Sequence, residues 1–350
     1  MSISLKDILT DCPIEASAPC RLDSGGTWDI KAMALPCEHI SPVTVNMALD
    51  LRSSVTLSPF EDSRIRISSQ GFSDREVFHK DDLPFDHPFG IFLAALSFFN
   101  VHGVHVHISS ASPIKSAMGG SSTALIALLK ALDKVRVQQG MSGLDPRRLL
   151  HLAYSLEDGI SGGNCGIQDQ AAAVFGGVHL WTWRYSNPLK PFTRKRLFTK
   201  KGERILSSHL AVAYSGRSHI SSLTNRKWIG DFLSGKTRQG WLKVNAIVQR
   251  FAEELKAMRW EEAARQLRQE MALRREITPE ALIPVTETLI KQAEKAGCGA
   301  RFAGAGAGGT VWAIGEMGNI EKLKMAWEKT LTPIRGAKVL ECSIDNSGAR

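Results

Sequence analysis

Ser112-Pro-Ile-Lys-Ser-Ala-Met-Gly-Gly-Ser-Ser-Thr-Ala-Leu125 is the stretch that decides the fold, because it joins a predicted strand to a predicted helix through a glycine loop. Alternating apolar residues predict the strand over 104–109, and the helix is predicted over 121–139. Gly119 and Gly120 let the backbone come close to a ligand. The helix start presents unpaired N–H groups and the positive end of the helix dipole, so it favours an anion such as phosphate.

The polar side chains of this loop suit the phosphates of a nucleotide. The hydroxyls of Ser121 and Ser122 can reach a phosphate oxygen or a bound Mg²⁺, and Lys115 can help to hold the charge. The residues do not follow G-x-x-x-x-G-K-[ST], so the pattern excludes a Walker loop. An ordinary strand–loop–helix turn with a serine cap and a solvated lysine is the alternative interpretation of the same residues.

A second glycine-rich segment carries a candidate catalytic carboxylate. Residues 157–170 are Glu-Asp-Gly-Ile-Ser-Gly-Gly-Asn-Cys-Gly-Ile-Gln-Asp-Gln. We predict Asp169 at the start of a helix, where nearby N–H donors would keep its carboxylate ionised. An ionised aspartate beside an acceptor hydroxyl can take its proton while phosphorus is attacked, and phosphoryl transfer needs few other groups. A plain helix cap is the alternative role for Asp169.

Three blocks together resemble the motifs of the galactokinase, homoserine kinase and mevalonate kinase (GHMP) superfamily. Ala-Pro-Cys-Arg-Leu-Asp-Ser-Gly-Gly-Thr-Trp-Asp at 18–29 resembles the first motif in its sugar-kinase form, with one residue fewer between the arginine and the last aspartate. The glycine loop resembles the second, P-x-x-x-G-L-G-S-S-A-A, with Met118 for the leucine and Ala117 near the place of the first glycine. Ala-Arg-Phe-Ala-Gly-Ala-Gly-Ala-Gly-Gly at 300–309 resembles the third.

This resemblance implies an ATP-dependent small-molecule kinase that uses Mg²⁺. It implies that Asp169 is the catalytic base and that Arg21 neutralises charge developing beside it. It implies that Ser122 and Glu157 bind the Mg²⁺. The ATP phosphates are implied to contact Lys115, Gly119, Gly120, Ser121, Ser122 and Thr123. The sugar is implied to contact Asp23, Gly25, Gly26, Asp29, Gly304, Gly306 and Gly308.

The acceptor is predicted to be a sugar hydroxyl. The segment 214–222 resembles part of the heptose-phosphate and fucose kinases, and Cys-Gly-Ile-Gln-Asp-Gln at 165–170 resembles the galactokinase and fucokinase form of the block with the base. The resemblance therefore implies phosphorylation of a heptose 7-phosphate or a fucose-like sugar, at the anomeric hydroxyl or a nearby one. A mevalonate- or homoserine-like kinase and a non-catalytic sugar sensor on the same fold are the alternatives.

Composition limits the classes of protein that fit. The chain has 350 residues, 43% of them hydrophobic, which is enough for a sizeable core. The N-terminal residues lack the pattern of a secretory signal, and no stretch approaches the roughly 20 apolar residues of a membrane helix, so we expect a cytoplasmic protein without membrane contact. The six cysteines lack C-x-x-C spacing and are predicted to be free thiols.

The formal charge of +9 suits either nucleic acid or polyanionic ligands. With no helix-turn-helix or RNA-binding pattern present, we expect a sugar or sugar phosphate as the partner and no nucleic acid. The basic segment 184–204 is predicted to be a solvated hairpin or loop, with a phosphate-attracting rim as the alternative. The sequence is silent on oligomeric state.

Alternating strands and helices predict an α+β protein of two lobes that divide near 185–205. An N-terminal ATP-binding domain is predicted over 1–190 and a C-terminal domain over 205–345, and the resemblance implies a ribosomal-protein-like and a ferredoxin-like fold for them. The other predicted elements are strands at 43–49, 53–58, 64–68, 176–184, 301–303, 309–315 and 337–344, and helices at 88–100, 146–158, 219–233, 240–257, 260–276, 279–296 and 319–331.

Overall fold

The structure is a computed structural model that describes residues 4–70, 76–218 and 221–350. It confirms the α+β class, with two sheets that each carry helices. The first sheet contains β1 (Ile14–Ser24), β2 (Val43–Pro59), β3 (Arg64–Ser69), β4 (Glu76–His79), β5 (Val104–Ser110), β6 (Val178–Trp183) and β7 (Phe192–Arg196). The helices of this part are α1 (Leu5–Asp11), α2 (Lys31–Ala34), α3 (Gly90–Phe98), α4 (Gly120–Gln138), α5 (Pro146–Ile160) and α6 (Gln168–Phe175), with a 3-10 helix at Leu35–Ile40.

The second sheet lies in the C-terminal part of the chain. Its strands are β8 (Leu210–Tyr214), β9 (Gly299–Phe302), β10 (Thr310–Ile314) and β11 (Lys338–Val339), in the order β11-β8-β10-β9. The accompanying helices are α7 (Lys200–Ser208), α8 (Ser221–Leu233), α9 (Arg238–Lys256), α10 (Trp260–Ile277), α11 (Pro284–Lys295) and α12 (Met317–Leu331), with a 3-10 turn at Pro279–Ala281. The predicted helix over 219–233 and the segment 214–222 include residues 219 and 220, which lie outside the described ranges.

Strand β2 is the spine of the first sheet. It pairs antiparallel with β1 along one edge, while its other edge pairs first with β6 and then with β5. The two strands predicted over 43–49 and 53–58 are therefore one, because all of it is held by neighbouring strands. Helix α4 packs on β1 and β2 and buries almost its whole length. This packing places the N-terminus of α4 beside the end of β1.

The predicted helix over 279–296 begins five residues later than expected. Thr278 does not cap a following helix, because its hydroxyl donates to the Arg274 carbonyl at 3.0 Å and so closes α10. A 3-10 turn follows, and α11 starts only at Pro284, whose ring favours the extended backbone seen at Ile283. The predicted stop at Gly297 is confirmed, with a left-handed φ of +75°.

The C-terminal strand predicted over 337–344 shrinks to the two residues of β11. Beyond it the chain leaves the second sheet and returns to the first. The Asp345 N–H donates to the Ala48 carbonyl at 2.9 Å, and Ser17 and Arg350 exchange two backbone hydrogen bonds of 2.9 and 3.0 Å. The last residues of the chain therefore bind the N-terminal lobe. The predicted C-terminal domain of 205–345 did not anticipate this contact.

The basic segment 184–204 forms the predicted hairpin up to β7, whereas its last residues belong to helix α7. Strand β7 pairs with β6 at the edge of the first sheet, and Arg194 and Lys195 are exposed on it. Arg196 pairs with the buried carboxylate of Glu203 at 2.8 Å. None of the described residues of this hairpin lines the cavity that contains the glycine loop, so the phosphate-attracting alternative has no support.

Aromatic side chains join the two lobes. Trp28, which follows β1, is fully buried and meets Phe232 and Trp241 edge-on, with ring centroids 5.8 and 6.3 Å apart. The Val43 N–H also donates to the Asn245 side chain at 2.8 Å. The first sheet ends at Arg196 and the second begins at Leu210, and we propose that the lobes divide between these residues. In the described part of the chain, no helix has both the length and the apolarity that a membrane span requires.

Candidate active site

A cavity of about 520 Å³ lies at the N-terminus of α4. It is lined by the glycine loop, the turn after β1, the glycine-rich segment before α6, part of α8 and the loop after β9. Of the predicted site residues it contains Arg21, Asp29, Lys115, Gly119, Gly120, Ser121, Ser122, Glu157, Asp169 and Gly304. The fold therefore brings residues from all three motif blocks to one place.

The N-terminus of α4 has the geometry expected for phosphate binding. Gly119 is its N-cap with a φ of +76°, and the first intrahelical bond runs from the Thr123 N–H to the Gly119 carbonyl at 2.9 Å. The N–H groups of Gly120, Ser121 and Ser122 precede that bond, so they remain available to an anion. A Cβ at Gly120 would meet no atom within 4 Å, so the space beside this backbone is open.

The loop before α4 is closed by the third glycine-rich block. Lys115 and Ala117 have left-handed φ values of +54° and +63°, so Ala117 adopts the conformation for which the family pattern uses glycine. A Cβ on Gly304 would come within 2.9 Å of the Ala117 carbonyl oxygen, and one on Gly309 within 2.7 Å of the Ser116 carbonyl oxygen. The third block is thus packed directly against the glycine loop at 112–122, which we call the phosphate loop.

Asp169 is the second residue of α6 and is held by Arg21. The Arg21 Nε donates to Asp169 Oδ1 at 2.7 Å, and its Nη2 lies at the same distance from that oxygen. The Asp169 side chain remains 23% exposed. Burial raises the pKa of the Asp169 carboxyl, and the Arg21 guanidinium opposes that rise. The expectation that helix N–H donors hold Asp169 is therefore corrected, because the arginine makes this contact.

Gly119 lets the phosphate loop approach this carboxylate. A Cβ at Gly119 would lie 2.9 Å from both Cγ and Oδ2 of Asp169. The free N–H groups of α4 and the carboxylate of Asp169 therefore face one space, where an acceptor hydroxyl and a phosphate can meet.

Ser122 and Glu157 are direct neighbours, as their predicted shared role requires. The Ser122 hydroxyl donates to Glu157 Oε1 at 2.8 Å, and the Gln170 amide donates to the other carboxylate oxygen at 2.6 Å. Burial raises the pKa of the Glu157 carboxyl to about 7, with the negative charge of Asp169 adding to the rise. A hydroxyl and a carboxylate supply the hard oxygen ligands that Mg²⁺ prefers, with the other positions left to water and phosphate oxygens. These residues therefore fit Mg²⁺.

Asp29 lies in the cavity beyond Asp169. One of its oxygens accepts the Thr27 N–H and the other the Gln168 N–H, both at 3.0 Å. Gly166 is essential to this arrangement, since a Cβ there would lie 1.8 Å from Asp29 Oδ2. Burial raises the pKa of the Asp29 carboxyl to about 6.

The structure corrects the role expected for Asp23. Its side chain is fully buried and outside the cavity. One oxygen accepts Arg301 Nη1 at 2.8 Å, and the other accepts the Gly304 N–H at 2.7 Å and lies 3.5 Å from Arg21 Nη1. Arg301 also lies 3.6 Å from the buried carboxylate of Glu270. Asp23 therefore links the second lobe to Arg21, and it is not free to contact a sugar.

Five other predicted contacts are also corrected, because the residues face protein atoms outside the cavity. The Thr123 hydroxyl donates to the Gly119 carbonyl at 2.7 Å. Gly25 and Gly26 pack against Val248 and Asp23. Gly306 packs against the Ala281 carbonyl and Gly308 against the backbone of Arg217 and Ser218. These glycines allow close packing of backbone segments.

Several lining residues were not assigned a role from the sequence. Gln168 flanks Asp169 in the quoted motif, so its position was visible there. Asn164, Asn225 and Trp228 also line the cavity. Asn225 and Trp228 belong to α8, and nothing in the local pattern of that helix distinguishes them from ordinary helical positions.

Two models of known protein families match the chain. The model of the GHMP kinases N terminal domain matches residues 88–177, and that of the GHMP kinases C terminal domain matches residues 251–331. These matches include the phosphate loop and Asp169 in the first domain and α10 to α12 in the second. A sequence search against curated proteins finds no match.

Solved structures share the fold over nearly the whole chain. Lactococcus lactis galactokinase complexed with galactose has a TM-score of 0.74 at 15% identity, covering 99% of this chain and 98% of its own. Streptococcus pneumoniae phosphomevalonate kinase in complex with phosphomevalonate and AMPPNP has a TM-score of 0.72 at 15% identity, covering 95% and 100%. A D-glycero-D-manno-heptose 1-phosphate kinase from Bacteroides thetaiotaomicron has a TM-score of 0.64 at 18% identity, covering 96% and 98%.

At these identities the structural likeness shows the two-domain fold, while the two sequence models identify the family. The N-terminal model matches the first lobe and the C-terminal model the second, so the two matches follow the order of the domains along the chain. The chain belongs to the GHMP kinases and is, as an enzyme, an ATP-dependent phosphotransferase.

Proposed function

We propose that this enzyme transfers the γ-phosphoryl group of ATP to a hydroxyl of a sugar, with Asp169 as the base. The observation that carries the proposal is the position of Asp169: Arg21 holds its carboxylate at 2.7 Å, and the open N-terminus of α4 faces it across Gly119. The sugar-kinase form of the motif around Asp169 and of the first block supports a sugar as the acceptor. The anomeric hydroxyl of a heptose 7-phosphate or of a fucose-like sugar is the acceptor that the resemblance favours.

In the proposed reaction, the acceptor hydroxyl oxygen attacks the γ-phosphorus while its proton passes to Asp169. The bond from this phosphorus to the β–γ bridging oxygen breaks, and ADP leaves. The N–H groups of Gly120, Ser121 and Ser122 hold the phosphates, and Arg21 lies where charge develops. Ser122 and Glu157 would hold Mg²⁺, which would supply positive charge to neutralise the phosphates.

The test is the release of ADP from ATP and Mg²⁺ with a panel of sugars, sugar phosphates, mevalonate and homoserine. Turnover of a sugar supports the proposal. Turnover of mevalonate or homoserine alone contradicts it and favours the other kinase class. ATP binding without turnover of any acceptor favours the sensor.

Asp169→Asn tests the assigned base on the sugar that is turned over. We expect kcat to fall about 10²- to 10⁴-fold, the usual contribution of a general base, with unchanged ATP binding. Asp81→Asn is the matched control, since its side chain is 71% exposed and does not line the cavity. An Asp169→Asn enzyme with normal kcat would remove Asp169 from the mechanism.

A further inference from the structure

The part of the cavity beyond Asp169 is distinct from the phosphate loop. We call it the acceptor pocket, and it is lined by Thr27, Asp29, Asn164, Gln168, Asn225 and Trp228. Two bonds tie its walls to the glycine-rich segment before α6: Asp29 accepts the Gln168 N–H, and the Asn225 amide donates to the Asn164 carbonyl at 3.3 Å. Its polar side chains, apart from Asp29, are uncharged.

The charge of the acceptor pocket is negative. Among the described residues that line the whole cavity, the lysines and arginines are Lys115 and Arg21. Lys115 belongs to the phosphate loop, and Arg21 directs Nε and Nη2 to Asp169 and Nη1 to the Ala117 carbonyl, all at 2.7 Å. Arg21 therefore compensates the charge of Asp169, and Asp29 is the carboxylate of the pocket that has no cationic partner among the described residues. A phosphate group on the acceptor would be repelled there.

The pocket also contains hydrogen-bond acceptors that lack donors. Gln168 is only 7% exposed, and its Oε1 is buried without a hydrogen-bond partner among the described residues. Asp29 is 2% exposed, and each of its oxygens accepts one backbone N–H, which leaves further lone pairs. A buried acceptor without a partner costs free energy, so a ligand that brings donors is favoured. Sugar hydroxyls are such donors, whereas a phosphate dianion brings only acceptors.

We propose that the acceptor is an uncharged sugar that carries no phosphate, and that Gln168 and Asp29 recognise its hydroxyls. The proposal rests on the proposed function and selects between the two sugar classes named there. It favours a free hexose, deoxyhexose or heptose over a heptose 7-phosphate.

The experiment compares each free sugar with its phosphorylated counterpart on the full chain with ATP and Mg²⁺. The pairs are D-mannose and mannose 6-phosphate, D-galactose and galactose 6-phosphate, and D-glycero-D-manno-heptose and its 7-phosphate, with L-fucose added. We expect the preferred free sugar to exceed its phosphorylated form by about 10²-fold or more in kcat/KM, since the phosphate and the Asp29 carboxylate carry like charges. Equal or better turnover of a phosphorylated form overturns this proposal and leaves the sugar kinase standing. Turnover of mevalonate or homoserine alone overturns both.

Variants of the two residues test how the discrimination arises. Gln168→Leu is expected to lower kcat/KM for the free sugar about 10- to 10²-fold, through KM and with an unchanged KM for ATP. Asp29→Asn is expected to reduce the ratio between the free and the phosphorylated sugar, a readout that a purely structural role would leave unchanged. An unaltered ratio in Asp29→Asn together with an unaltered sugar KM in Gln168→Leu would overturn the proposal.

Arg217 and Arg226 provide the opposing test. Both are exposed and do not line the cavity. Arg226 follows the pocket residue Asn225 in α8, and Arg217 precedes this helix in the sequence. If the Arg217→Ala and Arg226→Ala variants keep the activity on the free sugar, the pocket recognises its ligand without them, as proposed. Loss of activity on a phosphorylated sugar that the native enzyme uses well would show that these side chains bind an acceptor phosphate, which contradicts the proposal.

Discussion

At the scale of single residues, the site depends on two adjacent glycines with different tasks. Gly119 has a left-handed φ and touches Asp169, whereas Gly120 faces open space and lies in the helix. The first glycine is required by the protein itself. The second matters only if a ligand occupies the space beside it.

Gly119→Ala and Gly120→Ala therefore form a matched pair. Gly119→Ala is expected to lower the free energy of unfolding by about 1–2 kcal/mol, because alanine is strained at a left-handed φ. It should also lower kcat by at least about tenfold, because the new methyl group displaces Asp169. Gly120→Ala should leave the protein as stable or slightly more stable, since alanine suits a helix better, but should raise the KM for ATP. Thermal unfolding and steady-state kinetics measure both, and an unchanged ATP KM in Gly120→Ala would contradict phosphate binding at this backbone.

Asp29 predicts a pH dependence of sugar recognition. Its pKa is raised to about 6 by burial, so the carboxylate that we propose accepts sugar hydroxyls becomes protonated as the pH falls through that value. We expect kcat/KM for the sugar to be highest above pH 7 and to fall about tenfold per pH unit below pH 6. The pH profile of Asp29→Asn should lack this limb. A profile that is identical in the native enzyme and the variant would assign the limb to another group.

At the scale of secondary-structure elements, the end of β1 is held by charges from the second lobe. Arg301 of β9 and Glu270 of α10 reach Asp23 and Ser24 across the lobe interface, with the Ser24 hydroxyl donating to Glu270 at 2.6 Å. Asp23 in turn lies beside Arg21, which holds Asp169. The carboxylate that we propose as the base thus depends on an ion chain that begins in the other lobe.

Asp23→Asn and Asp29→Asn make the same change six residues apart and should give opposite results. Asp23→Asn removes the nearer of the two buried carboxylates beside Arg301, so we expect a loss of about 3 kcal/mol in the free energy of unfolding and a lower kcat with an unchanged sugar KM. Asp29→Asn should raise the sugar KM and cost less stability than Asp23→Asn, because it leaves one backbone N–H without an acceptor but no buried arginine beside it, and burial already favours the neutral form of that carboxyl. Denaturant unfolding and steady-state kinetics distinguish the two variants. A raised sugar KM in Asp23→Asn would support the contact between Asp23 and the sugar that the sequence predicted.

At the scale of the whole molecule, the chain end fastens the lobes together. Arg52 of β2 contacts Asp345 and donates to the carbonyls of Ser17 and Gly348 at 2.8 and 2.7 Å. Bonds from Ser347 and the charge of Arg52 lower the pKa of the Asp345 carboxyl despite its burial. A carboxylate whose folded pKa is lowered stabilises the protein at neutral pH and stops doing so as the pH falls through that folded value.

Asp345→Asn is therefore expected to lower the free energy of unfolding by about 2 kcal/mol at pH 7, with the difference from the native enzyme shrinking on acidification below about pH 4. Thermal unfolding at several pH values measures this. Glu341→Gln, an exposed position in the same segment, should leave the melting temperature unchanged. A pH-independent difference for Asp345→Asn would show that the ion pair is not its cause.

The sequence by itself determined the local elements and the chemistry of the phosphate loop. Helix α4 and strands β3 and β5 follow from periodicity, whereas the meeting of Ser122, Glu157, Arg21 and Asp169 was implied by the resemblance to the family. These features depend on residues close together in the chain or on motifs that identify a family. Residues 43–49 and 53–58 form the single strand β2 because neighbouring strands pair along its whole length. Helix α11 starts late because one hydrogen bond of Thr278 closes the preceding helix.

Only the tertiary structure decided which of the motif residues face the ligand. Asp23 and Asp29 look alike in the sequence, yet Asp23 is enclosed by Arg301, 278 residues away, while Asp29 opens into the acceptor pocket. Glu270 lies on a charge-rich helix, and its bond to Ser24 spans 246 residues. Burial and charge pairing arise from packing between distant segments, so no local pattern encodes them. The absence of a free cation from the acceptor pocket is, among the described residues, a property of the same kind.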